Sequence, residues 1–177
     1  MTTAEYLQTP ETVLPRELAY GVLHVADSPT VHHQRVVGEL HLELAPFVRD
    51  RRLGEVLLAP MDVVLDYDAA LVVQPDLLFV AAERRAIVSD RVYGAPDLVI
   101  EVLSPQPRVG RLEERMGWFA RYGVRECWLV SLPARQVSVL ALTPSGVASR
   151  ALASESQPIP SAVLPDLSLT PLQIFGW

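Results

Sequence analysis

Residues 94–106, GAPDLVIEVLSPQ, set two carboxylates into an otherwise apolar run. Leu98, Val99, Ile100, Val102 and Leu103 make a near-continuous hydrophobic stretch, the pattern of a central strand covered on both faces. Side chains alternate along a strand, so Asp97, Val99, Glu101 and Leu103 share one face. A carboxylate stripped of water in such a strand is costly unless it is paired. Asp97 and Glu101 lie roughly 13 Å apart along the strand, too far to share one ion. Glu101 therefore needs a partner from another strand, and Asp76 in VVQPDLLFV is the best candidate. Pro75 beside it marks an edge or a bulge, where side chains are re-aimed. Two carboxylates with a backbone carbonyl and waters suit Mg²⁺. The competing reading is that each carboxylate pairs with an arginine or caps a turn, and spacing leaves both open.

Outward from this strand, the apolar runs EVLLAPMDVVLD (55–66) and LVVQPDLLFVA (71–81) predict two further strands, with Asp66, Tyr67 and Asp68 supplying the turn between them. Upstream, RELAYGVLHVAD suggests a strand or a hairpin about Gly21. Ser28, Pro29 and Thr30 read as a helix start. Val37, Leu40, Leu44, Phe47 and Val48 then recur at helical spacing to about residue 52, and Gly54 fits a C-terminal stop. His33 falls on that stripe as a packed or hydrogen-bonded histidine, and as a ligand only if an acidic site lies nearby. Downstream, a helix over 109–122 is followed by the strands ECWLVSL and RQVSVLAL, a strand pair running into a loop over 144–165, and a short closing helix. Strands in the middle with helices on either side predict an α/β sandwich. Residues 1–15 are expected as a loose N-terminal arm, and residues 16–177 as one domain.

Composition narrows the function classes. The 177 residues are 50% hydrophobic and 20% charged, as in a globular rather than a disordered chain. Apolar runs stop short of a membrane span, and MTTAEYLQTP has neither a basic nor an apolar signal region, so the cytoplasm is the expected location. A net charge of -6 argues mildly against unassisted binding to a polyanion. The chain contains no lysine, so all fifteen basic side chains are arginines, and five of these (Arg108, Arg111, Arg115, Arg121, Arg125) fall close together. On the second helix, Leu112, Met116, Phe119 and Ala120 form the face expected to pack on the sheet. Arg111, Arg115, Trp118 and Tyr122 form a neighbouring stripe. Two arginines one turn apart can hold a phosphate or an acidic cluster, or can simply snorkel off the core.

The order QPDLLFV, GAPDLVIEVLSP, then an amphipathic helix ending RYGVRECWLV, resembles the Uma-type restriction endonuclease family of the PD-(D/E)XK nuclease superfamily. Glu17, Gly21, the stretch SPTVHHQRVVGEL and the closing LPDLSLTPLQIF extend the resemblance over most of the chain. It implies a restriction-endonuclease-like mixed β-sheet core flanked by helices, and a Mg²⁺-dependent DNA endonuclease that hydrolyses phosphodiester bonds, Mn²⁺ being an alternative ion. Carried over residue by residue, Asp76 and Glu101 become metal ligands with the Val102 carbonyl as a third, Glu17 an auxiliary acid, and Arg111 and Arg115 contacts to the substrate phosphate. A double-strand cut by so small a domain implies a two-fold homodimer.

The same resemblance exposes a departure. The superfamily's lysine, two residues after the glutamate, would fall at Leu103. The helix positions of an alternative Asp and Lys pair align with Arg111 and Arg115, and a second early acid is replaced by Val22. Arginine keeps the charge but cannot act as a general base. The alternative function is therefore a catalytically inactive nuclease-fold module that binds nucleic acid or protein. Geometry separates the two. Asp76 and Glu101 carboxylates within about 5 Å of a common point would support a metal site, whereas a direct ion pair of Arg111 or Arg115 with Glu101 would neutralise it.

Overall fold

The computed structural model describes residues 1–10, 14–103 and 112–177. The N-terminal residues, expected as a loose arm, include a short helix, α1 (Thr3–Leu7), held by a reciprocal cap between Thr2 and Glu5. Its Tyr6 is buried, and the phenol donates to Asp62 Oδ1 at 2.9 Å. The hairpin expected about Gly21 consists of β1 (Arg16–Ala19) and β2 (Val22–Val25). Both turn residues, Tyr20 and Gly21, have positive φ (49° and 85°), as a tight two-residue hairpin requires.

Helix α2 (Val31–Asp50) starts two residues later than the Ser-Pro pair suggests. Thr30 is the cap, its hydroxyl accepting from the His33 amide at 3.2 Å, so Pro29 precedes the helix. Val36, Val37, Leu40, Leu44 and Val48 make its buried stripe. Arg52, at φ 56°, takes the left-handed position after the helix. Gly54 serves a different purpose from the expected helix stop. It opens the next strand, and a Cβ there would lie 2.0 Å from the Val80 carbonyl oxygen, a close approach only glycine permits.

The two long apolar runs each split into two strands in different sheets. Residues 55–66 give β3 (Gly54–Leu58) and β4 (Val63–Asp66), and residues 71–81 give β5 (Leu71–Val73) and β6 (Leu77–Ala81). After a 3₁₀ turn (Ala82–Ile87) come β7 (Val92–Tyr93), β8 (Leu98–Leu103), α3 (Leu112–Tyr122), β9 (Glu126–Ser131), β10 (Gln136–Thr143), β11 (Gly146–Ser154) and α4 (Pro171–Phe175). One mixed sheet has the order β2-β1-β5-β4-β7, with β4 and β7 parallel. The other has the order β11-β10-β9-β8-β6-β3, with β8 and β9 parallel and β6 antiparallel to β8. Strand β8 is thus central, as its unbroken apolar run indicates.

The six-stranded sheet is the middle layer. Leu77, Phe79, Leu98, Ile100 and Trp128 pack with α2 and α4 on one face. Leu78, Val80, Val99, Cys127 and Leu129 on the other face pack with Met116, Phe119 and Ala120 of α3 and with Val63, Leu71 and Val73 of the five-stranded sheet. Leu112, expected in that contact, is instead exposed. The chain crosses between sheets at Gln74-Pro75-Asp76, and this crossing places the acidic residues beside β8.

Candidate active site

Strand pairing brings the expected acids together. β6 and β8 pair as Leu78 with Val99 and Leu77 with Ile100, so the next step of the register sets Asp76 opposite Glu101. Ladder pairing ends there, and the backbone amide of Val102 turns to the Asp76 side chain instead. It donates to Asp76 Oδ2 at 2.8 Å. The same oxygen lies 3.2 Å from His33 Nε2, which reaches in from the first turn of α2. His33 is therefore a hydrogen-bonded histidine with an acidic site beside it, uniting two readings that its position on the stripe left apart.

Glu17 arrives from β1. It is 5% exposed, and its Oε1 accepts from the Gln74 amide at the sheet crossing. Arg115, 8% exposed on α3, closes the arrangement. Its Nη1 and Nη2 donate to the two Glu17 oxygens at 2.7 and 2.8 Å, while its Nε donates to Glu101 Oε1 at 2.8 Å. A planar guanidinium with five donors suits this fork; a single ammonium could not reproduce it. Arg115, of the arginine stripe expected on the second helix, thus holds an acidic cluster rather than snorkelling. Arg111 and Arg108 lie outside the described residues. Trp118 meets Tyr20 edge-to-face at 6.0 Å, and both Trp118 and Tyr122 border the core against the five-stranded sheet.

The ion pair of Arg115 with Glu101 is the contact expected to neutralise the site. Among the described residues, Arg115 pairs with Glu17 and Glu101, while Asp76 pairs with His33. The Glu101 carboxyl is pushed up to about 7. Burial is the main cause, the charges of Asp76 and Glu17 add to it, and Arg115 opposes it. Burial also works against the charge on Arg115, yet Glu101 and Glu17 outweigh that and hold it firmly protonated. Asp76 and Glu101 offer hard oxygen donors, the ligand chemistry Mg²⁺ takes. Val102 adds a third, because a strand residue directs its N–H and C=O to the same neighbour, here the Asp76 side. In donor type and charge the residues fit a divalent cation. In arrangement, among the described residues, no three His, Cys, Asp or Glu side chains are grouped so as to hold one, and Arg115 is paired with two of the acids.

Leu103, where a lysine would be expected two residues after Glu101, packs against the core under α3. Asp97 belongs to a separate device at the far end of β8. Fully buried, it accepts from the Ala81 amide at 2.9 Å and pairs with Arg84 and Arg125 at 3.1 and 3.3 Å. Gln74 was not evident beforehand. Besides holding Glu17, its amide Nε2 donates to Asp62 Oδ1 at 2.8 Å, and it lines a cavity of about 110 Å³ together with His33, Gln34, Pro60 and Asp76. Its place immediately before Pro75-Asp76 was the available signal.

Comparison with known families places the chain and its fold. The model of a family described as Uma2, "Putative restriction endonuclease", matches residues 3–172. The chain belongs to the Uma2 family. No curated protein matches it. A crystal structure from Anabaena variabilis ATCC 29413, described as "a putative nuclease belonging to DUF820", superposes with a TM-score of 0.82 at 20% identity. The match covers 100% of this chain and 98% of the other, so the Uma2 chain shares that fold along its whole length. Among the described residues no helix is long and apolar enough to cross a membrane.

Proposed function

We propose that this Uma2 protein is a Mg²⁺-dependent endonuclease that hydrolyses DNA phosphodiester bonds. Mn²⁺ would substitute for Mg²⁺, and the protein would act in the cytoplasm as a two-fold homodimer when both strands are cut. The observation that carries the reading is the convergence of three largely buried acids, with Glu17 and Glu101 sharing Arg115 and the strand register setting Asp76 opposite Glu101. Asp76, Glu101 and the Val102 carbonyl would hold the ion. When bound, the ion supplies Lewis-acid stabilisation of the phosphodiester charge and acidifies water.

The remaining residues orient and balance this set. His33 and the Val102 amide fix the Asp76 carboxylate, as hydrogen-bonded partners of a ligand do. Glu17 anchors Arg115, whose permanent charge can meet negative charge developing on the phosphate but cannot accept a proton. Arg111 is assigned to the substrate phosphate on the resemblance alone. The test is plasmid cleavage with Mg²⁺ or Mn²⁺, which should vanish in Glu101→Ala. Cleavage surviving that substitution at full rate sinks the role given to Glu101.

The direct Arg115–Glu101 pair and the apolar Leu103 favour a second reading, a nuclease-fold module that binds nucleic acid or protein without hydrolysis. DNA binding without cleavage, and no calorimetric Mg²⁺ binding, would select it.

A further inference from the structure

Arg115 makes three hydrogen bonds of two kinds. The fork to Glu17 is bidentate and joins α3 to the five-stranded sheet, whereas the link to Glu101 is the single Nε contact at 2.8 Å. We propose that Arg115 is a built-in competitor for the divalent cation. It occupies Glu101 while the ion is absent, and yields that one contact, keeping the Glu17 fork, when the ion binds. The proposal rests on the metal reading above.

Three observations support it. A guanidinium has no lone pair to offer a metal, so where it sits against a ligand oxygen it excludes the ion by charge and by space. Glu101 is the contested carboxylate, because Asp76 is held by His33 and the Val102 amide rather than by Arg115. Glu17 takes both terminal nitrogens, so releasing Glu101 leaves Arg115 still paired and α3 still tethered. Only one charge-assisted bond is exchanged for ion coordination. The site is thereby stable without metal, at the cost of metal affinity.

The experiment measures Mn²⁺ binding to the whole protein by calorimetry and by electron paramagnetic resonance, with no substrate present. Arg115→Gln removes the competitor and should bind Mn²⁺ about tenfold more tightly or better, the worth of one charge-assisted hydrogen bond. Glu101→Gln should bind it more weakly than wild type. Arg115→Lys keeps a cation that the fork geometry no longer fits. It should also bind more tightly than wild type, and it provides the measurement if Arg115→Gln does not fold. Wild type and both Arg115 variants binding equally, or the variants binding more weakly, overturns the competition while leaving the metal site intact. No binding by any of the folded proteins overturns the competition and the metal reading together.

Discussion

Glu101→Gln in the metal-free protein is the perturbation whose outcome the buried charges determine most directly. Glu101 has its folded pKa raised from 4.5 to about 7, so between those values the native state holds a proton that the unfolded chain releases. For an acid shifted upward, stability is highest below the unfolded pKa and is lost as pH rises toward the folded one. A shift from 4.5 to about 7 corresponds to roughly 3 kcal/mol, of which about 2–3 kcal/mol falls between pH 5 and pH 8. Glutamine is neutral at both pH values and keeps a carbonyl oxygen that can accept from Arg115 Nε. The variant should therefore match wild type closely at pH 5, where Glu101 is itself protonated and both side chains offer Arg115 a neutral carbonyl acceptor. It should gain on wild type by about 2 kcal/mol by pH 8. Urea unfolding in EDTA at the two pH values, read as midpoint shifts at constant m-value, measures this. If the difference between the two proteins stays within about 0.5 kcal/mol across that range, burial does not raise the Glu101 carboxyl as described. The prediction also separates function from stability, since the same substitution removes the carboxylate to which the proposed function gives a role in cleavage.

Asp97→Ala should destabilise the fold by about 1–3 kcal/mol, because it leaves the buried Ala81 amide without its acceptor, while the two partly exposed arginines can turn to water. Its Mn²⁺ affinity, where the protein remains folded, should equal wild type; a loss of ion binding would place Asp97 in the site after all. Gly54→Ala should prevent folding or cost well over about 3 kcal/mol, as its Cβ would overlap the Val80 carbonyl oxygen, and a melting temperature within a few degrees of wild type would contradict that close approach. Thr30→Ala should cost about 1 kcal/mol through the lost cap on α2, measurable in the same urea titration.

Much of the site could be read from the sequence because each part carried a local signal. Glu101 was a charge in a buried strand, Asp76 a charge beside a proline in another, and Arg115 lay on a helix stripe next to the core. What periodicity could not give was the sheet each strand joins. An apolar run of twelve residues looks the same whether it makes one strand or two that belong to different layers, and both such runs here divide. The splitting matters to function, since it bends the chain at Gln74-Pro75-Asp76 and turns Asp76 toward the Val102 amide. The pairing of Glu17 with Arg115, separated by 98 positions, was equally invisible, because no local pattern encodes a long-range contact. Asp97 shows the converse. It sat in the most conspicuous motif and took the competing reading, a carboxylate paired with arginine, but which two arginines pair with it no local pattern could give.

The absence of lysine changes what the cluster does when no ion is present. A lysine ammonium is a compact charge on a flexible stem and can leave a carboxylate with little structural consequence. Arg115 instead locks both Glu17 oxygens in a fixed fork and reaches Glu101 with a third donor, tying β1, β8 and α3 to one another. Breaking such a buried pair by removing one partner costs about 3–5 kcal/mol, so the arginine cannot be regarded as a neutral replacement. Glu101 nevertheless stands in the middle of β8 against its own desolvation. Its bond to Arg115 gives the acid a structural part, and the metal role proposed above would give its carboxylate a second one.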